Sequence, residues 1–151
     1  MRRLIAAVLL AVIALPGWAG DDGIRKLRAE GSVPQTVKAL EAAVAGGGAR
    51  VFARVNHAGG AMDAGMDLAP AQLLIFGNPK MGTPVMQDDP LAGLYLPMRV
   101  LVYEDAEGQT WLAYETPEAM LSGLDGIPAE AGYLDKMAGA LDKLTRKAAG
   151  R

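Results

Sequence analysis

Along the chain the spacing of hydrophobic and polar positions changes several times, and each change marks an element. Val33, Val37, Leu40 and Val44 recur at steps of four, three and four, the single stripe of an α-helix. Ser32-Val33-Pro34-Gln35 before it has a capping-box layout, with the hydroxyl at N-cap, proline in the first turn and Gln at the third position. Gly46-Gly47-Gly48 closes the helix, because consecutive glycines lose too much backbone freedom in a helix interior. Upstream, Gly23 to Glu30 alternates apolar and charged positions weakly, which predicts a strand at a sheet edge. Val51 to Asn56 alternates as a second strand. Leu73 to Phe76 is an unbroken apolar run closed by Gly77-Asn78-Pro79, the pattern of a central strand or one covered on both faces. His57 to Leu68, rich in Gly and Ala with two methionines, predicts a short helix or an irregular lobe. Gly82, Pro84 and Pro90 interrupt Lys80 to Pro97, predicting one short helix within a long connection. Arg99 to Glu104 and Gln109 to Glu115 enclose a glycine-ended loop and form an antiparallel hairpin. Leu134, Met137, Leu141 and Leu144 trace a terminal helix, with Arg146 and Lys147 in its last turn, where cations favour the helix dipole.

This order predicts an α+β domain, with helices packed on one face of a mostly antiparallel sheet. No repeat, low-complexity tract or linker divides it, so residues 20–151 are expected to form a single domain. Residues 1–19 have another character. Met1-Arg2-Arg3 precedes an apolar run from Leu4 to Leu15, and Gly17-Trp18-Ala19 puts small residues at the −3 and −1 positions of a cleavage site. That is the layout of a secretory signal peptide, and as a helix the run spans only about 18 Å of a roughly 30 Å hydrocarbon core. The expectation is export to the periplasm or the medium, with no membrane segment after cleavage.

Charge and composition narrow the chemistry. The chain has 151 residues, 15 basic and 17 acidic, for a formal charge of −2. Cleavage would remove two more positive charges, so nucleic acid is not an expected partner. There is no cysteine, which excludes disulfides, thiolate nucleophiles and cysteine-ligated metal, and the single histidine excludes any site with two imidazoles. No phosphate-binding loop of the G-x-x-x-x-G-K-[ST] type is present.

Several segments resemble the domain-of-unknown-function 302 family: Val51-Phe52-Ala53-Arg54-Val55-Asn56-His57-Ala58, Leu73-Leu74-Ile75-Phe76-Gly77-Asn78-Pro79-Lys80, and Gly82-Thr83-Pro84-Val85-Met86. Gly93-Leu94-Tyr95-Leu96-Pro97 and Val100-Leu101-Val102-Tyr103-Glu104-Asp105 follow in the same order and spacing. The resemblance runs from about Ile24 to Leu144 and implies a β-α-β(4)-α fold of the TATA-binding-protein-like type, with no established activity. Members often carry Asp before the histidine, whereas this chain has Asn56, so no adjacent carboxylate is available to raise the basicity of His57. The likeness to a DNA-binding fold concerns architecture alone.

Three residues are candidates for a ligand site. His57 follows a strand and precedes Ala58-Gly59-Gly60, where a ligand can approach the backbone; the plainer reading is a histidine that hydrogen-bonds at a strand–loop junction. Asn78 and Lys80 stand where an apolar strand ends and could orient and pair with an anion, although Asn-Pro is also ordinary turn chemistry. If the two strand ends meet, His57, Asn78 and Lys80 share one site. An enzyme with His57 as base and Lys80 as anion stabiliser is the first alternative. Ser32 and Ser122 are not in a nucleophile elbow, so a serine triad has little support. The second alternative is Cu(I) held by Met62, Met66, Met81 and Met86, against methionine as ordinary core filler. Glu104-Asp105 reads as a solvated hairpin turn, and Tyr103 and Trp111 either line a pocket or pair across strands. With no complete catalytic constellation, no cofactor is expected. The leading expectation is a non-enzymatic ligand-binding or protein-interaction module, and a homodimer, since so small a domain leaves sheet edges and faces to bury.

Overall fold

A computed structural model describes residues 23–151; the signal-peptide expectation for residues 1–19 lies outside them. Eleven short elements follow one another: β1 Ile24–Arg28, α1 Val33–Gly46, β2 Arg50–Asn56, α2 His57–Asp63, β3 Ala71–Gly77, α3 Pro79–Asp88, a 3-10 turn Pro90–Leu94, β4 Met98–Glu104, β5 Thr110–Glu115, α4 Pro117–Leu121 and α5 Gly132–Ala149. The five strands make one sheet in the order β1-β5-β4-β3-β2, and every neighbouring pair is antiparallel. The fold is α+β, as expected, and the charged first strand lies at an edge.

The helical stripe of α1 is the reason the sheet has a core. Val33, Val37, Leu40 and Val44 are all buried, facing Leu134, Met137, Leu141 and Leu144 of α5. Beneath them lie Leu74 and Phe76 of β3, Val100 and Val102 of β4, and Leu112 and Tyr114 of β5. These alternate along their strands, so the intervening residues point to the opposite face. There the registers align Val55, Leu73, Leu101, Ala113 and Lys26 in one row across the sheet, and Ala71, Tyr103, Trp111 and Arg28 in the next. None of Val55, Leu73, Ile75, Leu101, Tyr103 and Trp111 is buried. β3 is therefore interior in the sheet but covered on one face only.

Local chemistry explains where helices begin. At α1 the Gln35 side chain accepts the Ser32 backbone N–H at 2.9 Å. Residues 57–68 resolve into α2 and a following loop. Lys80 to Pro97 holds a longer helix than its breakers suggest: Asn78 caps α3, Pro79 occupies its first turn, and Pro84 sits inside it. Pro84 costs α3 one backbone bond without ending it. The short α4 was not among the expected elements; Thr116, whose hydroxyl accepts the Ala119 N–H at 3.3 Å, caps it ahead of Pro117.

Candidate functional site

The end of the β2–β3 hairpin that carries Gly77 forms an apolar cleft of about 340 Å³. Its shape begins with a bulge in β2. Val51 pairs with Phe76 and Ala53 with Ile75, so Phe52 is the extra residue and leaves the ladder. Phe52 is 45% exposed and forms one wall, with the Arg50 guanidinium 4.8 Å above its ring centroid. Met81 and Met86 of α3 form a second wall, and Leu96 and Pro97 a third. Gly77 keeps the floor open: a Cβ there would come to 3.4 Å from Pro97 and 3.5 Å from Phe52.

Asn78 holds this corner together. Its Oδ1 accepts the Lys80 backbone N–H at 2.9 Å, and its Nδ2 donates to the Gly48 carbonyl at 3.0 Å. One side chain thus caps α3 and ties it to the turn after α1. A second groove, of about 330 Å³, shares Asn78, Met81 and Met98 with the cleft and is lined by Lys143 and Lys147 of α5. The far end of α3 is anchored separately: the Tyr133 hydroxyl donates to Asp88 at 2.8 Å, and Asp89 accepts the Leu91 N–H at 2.9 Å. Desolvation, reinforced by the bond to Asp88, pushes the Tyr133 phenol up to about 12, so it stays a donor throughout the physiological range.

The structure separates the residues proposed for a common ligand site. Asn56 pairs with Gln72 and Arg50 with Gly77, so His57 leaves one end of the β2–β3 hairpin while Asn78 and Lys80 leave the other. Five to six strand steps, roughly 20 Å, lie between them. The expectation that the two strand ends meet is corrected by this register: antiparallel pairing carries the end of β2 to the start of β3. A histidine base and a lysine anion-stabiliser must both reach one substrate, so His57 and Lys80 do not form that pair. His57 is exposed at the first position of α2. The methionines divide in the same way. Met62 and Met66 lie with His57, and Met81 and Met86 lie on the cleft walls, so no centre gathers all four thioethers. Among the described residues no cluster of three His, Asp or Glu is placed to hold a metal ion.

Sequence reasoning reached Asn78 but missed Phe52, Leu96 and Pro97. An extra residue in a strand carries no mark in an alternation pattern, and Leu96 and Pro97 enter the site from a distant connection. It also underrated the β4–β5 turn. Asp105 accepts the Trp111 indole N–H at 2.6 Å and the backbone N–H groups of Gln109 at 2.8 Å and Glu107 at 3.1 Å. These bonds, that from Trp111 foremost, hold its carboxyl below the usual carboxylate range. Tyr103 and Trp111 stand directly opposite each other across β4 and β5.

Comparison with known proteins agrees with the fold. The family model for Domain of unknown function DUF302 matches residues 25–145. Among solved structures, the uncharacterised conserved DUF302 protein of Bacillus stearothermophilus superposes with a TM-score of 0.68 at 22% identity, covering 85% of this chain and 96% of that one. Among curated relatives, fluoride-specific ion channel FluC 1 of Brucella suis biovar 1 is 42% identical over 97 residues, 64% of this chain and 38% of that protein. FluC 2 of Brucella melitensis biotype 1 is 42% identical over 97 residues, 64% of this chain and 36% of its own length. The match thus spans well under half the length of these relatives. No helix among the described residues is long and apolar enough to cross a membrane. On a family match that runs from β1 into α5, and on the β-α-β(4)-α order of the main elements, this chain belongs to the DUF302 family.

Proposed function

We propose that the protein is an exported, non-enzymatic binding module whose cleft takes a small amphipathic anion, an alkyl or aryl group ending in a carboxylate or a comparable charge. The observation that carries this reading is the pairing of an apolar cleft with a lysine-lined groove that shares its walls. The apolar group lies among Phe52, Met81, Met86, Leu96 and Pro97. Its charge lies toward Lys143 and Lys147. The cleft volume of about 340 Å³ is at the small end of ligand pockets, and such pockets are characteristically apolar with a few polar groups for orientation. Asn78 is a positioning residue here, since both ends of its amide are already bonded to the backbone. Export is supported by the basic start, apolar run and small-residue cleavage site of residues 1–19. Fluoride conduction, named for relatives that are matched over little more than a third of their length, is not proposed for this chain.

Calorimetric titration with decanoate and with decanol tests the reading. Decanoate is expected to bind more tightly than decanol. Met86→Glu, at an exposed position on the cleft wall, is expected to weaken decanoate at least tenfold, about 1.4 kcal/mol. Lys143→Gln with Lys147→Gln is expected to bring the two ligands to equal affinity. No decanoate binding at millimolar concentration, or binding indifferent to Met86→Glu, overturns the cleft as the site. Equal affinities in the wild type overturn the anionic ligand class.

A further inference from the structure

The face of the sheet away from α1 and α5 is apolar over two of its rows, carries Arg99 and Glu115 in the third, and has opposite charge on its two sides. Val55, Leu73, Leu101 and Ala113 form one row and Ala71, Tyr103 and Trp111 the next. At the β1 edge these rows end in Lys26 and Arg28. At the β2 edge the chain leaves the sheet as α2 and the loop to β3. No residue of α2 is buried, and Met62, Met66 and Leu68 are 72%, 61% and 52% exposed. Between these apolar side chains stand Asp63 and Asp67, both exposed. An arm that buries nothing of its own and presents three large apolar residues has the composition of a surface completed by another molecule.

We propose that this face binds a second copy of the same chain, sheet to sheet, about a two-fold axis running along the strands. That axis lays β1 of one copy over β2 of its partner and keeps the same strand end on the same side. The arm leaves β2 after Asn56, whose row runs through Gln72, Val102 and Leu112 to Leu27, between Lys26 and Arg28 on the opposite edge. Asp63 and Asp67 of each arm therefore meet the Lys26 and Arg28 edge of the other copy, and the contact is made twice, as an isologous interface requires. The area fits as well. Five strands about 4.8 Å apart and six residues long outline roughly 500 Å². Two such faces bury about 1,000 Å², the lower bound of a specific interface, before the arms add their methionines. The opposed charges set the register of the pairing, and the apolar rows supply the burial.

A charge exchange tests this without disturbing the core. In Asp63→Lys with Asp67→Lys, both the arm and the β1 edge are basic; in Lys26→Glu with Arg28→Glu, both are acidic. Sedimentation equilibrium is expected to show a wild-type dimer and, for each double variant alone, a dissociation constant raised at least tenfold. An equimolar mixture of the two is expected to recover the heterodimer to within about threefold of wild type, because both contacts are complementary again. Leu101→Arg, at the centre of the face, is expected to abolish association. If that variant fails to fold, as judged by circular dichroism, the exchange still decides. A wild-type monomer at several hundred micromolar, a dimer unmoved by either double variant, or a mixture that stays monomeric overturns the proposal; the first of these leaves the face to a different partner.

Discussion

Asp105 shows how much a single residue organises in this protein. Its carboxylate closes the β4–β5 turn by accepting three N–H groups, and the indole of Trp111 is the one that depresses its pKa most. A carboxyl whose folded pKa lies below its unfolded value of 3.8 contributes stability above that pH. The contribution fades as pH falls below 3.8 and through the lowered folded value. Trp111→Phe removes the largest cause of the depression while keeping an aromatic ring opposite Tyr103. The stability gap between wild type and Trp111→Phe, measured by urea unfolding, is expected to be widest near neutrality and to narrow below pH 3.8. A gap of constant size would show that the variant loses packing alone. Asp105 was visible in the sequence only as part of a turn, because its principal donor lies on the returning strand, six residues on.

The elements differ sharply in what they contribute. α1 buries its whole apolar stripe against α5 and the sheet, whereas α2 buries none of its residues. Leu40, fully buried, therefore carries packing that Met62 does not. Chemical denaturation is expected to show Leu40→Ala losing roughly 2–5 kcal/mol. Met62→Ala is expected to lose under about 0.5 kcal/mol. A large loss at Met62 would mean that the arm packs on its own sheet. The stripe of α1 and its glycine stop were legible because helix periodicity and glycine punctuation are local. The β4–β5 hairpin was legible for the same reason. α3 was read only as a short helix because Gly82 and Pro84 are poor helix residues; Asn78 and Pro79 start it, and packing of Val85 into the core sustains it. Propensity is a weak prior where burial opposes it.

At the scale of the molecule, the one-sided coverage of the sheet connects stability to assembly. A chain that pairs through its open face gains folding free energy by mass action. The thermal midpoint is then expected to rise by roughly 2–3 °C for each tenfold increase in protein concentration. Differential scanning calorimetry over two decades of concentration checks this, and a constant midpoint would indicate a monomer. The cleft belongs to this scale too. β2, β3, α3 and the connection into β4 each contribute to it, and the Phe52 wall comes from a strand some 25 residues before the Gly77 floor.

By itself the sequence determined the α+β class, the order of the strands and of the two long helices, the edge position of the charged first strand and the turn at Asn78-Pro79, all consequences of spacing over a few residues. Only the tertiary structure decided which strand ends share a site. Antiparallel register sent His57 and Lys80 to opposite ends of one hairpin, and a single bulge turned Phe52 out of the sheet to face Pro97. Pairing register and long-range approach depend on contacts between distant segments, and side-chain periodicity along one segment carries no record of them.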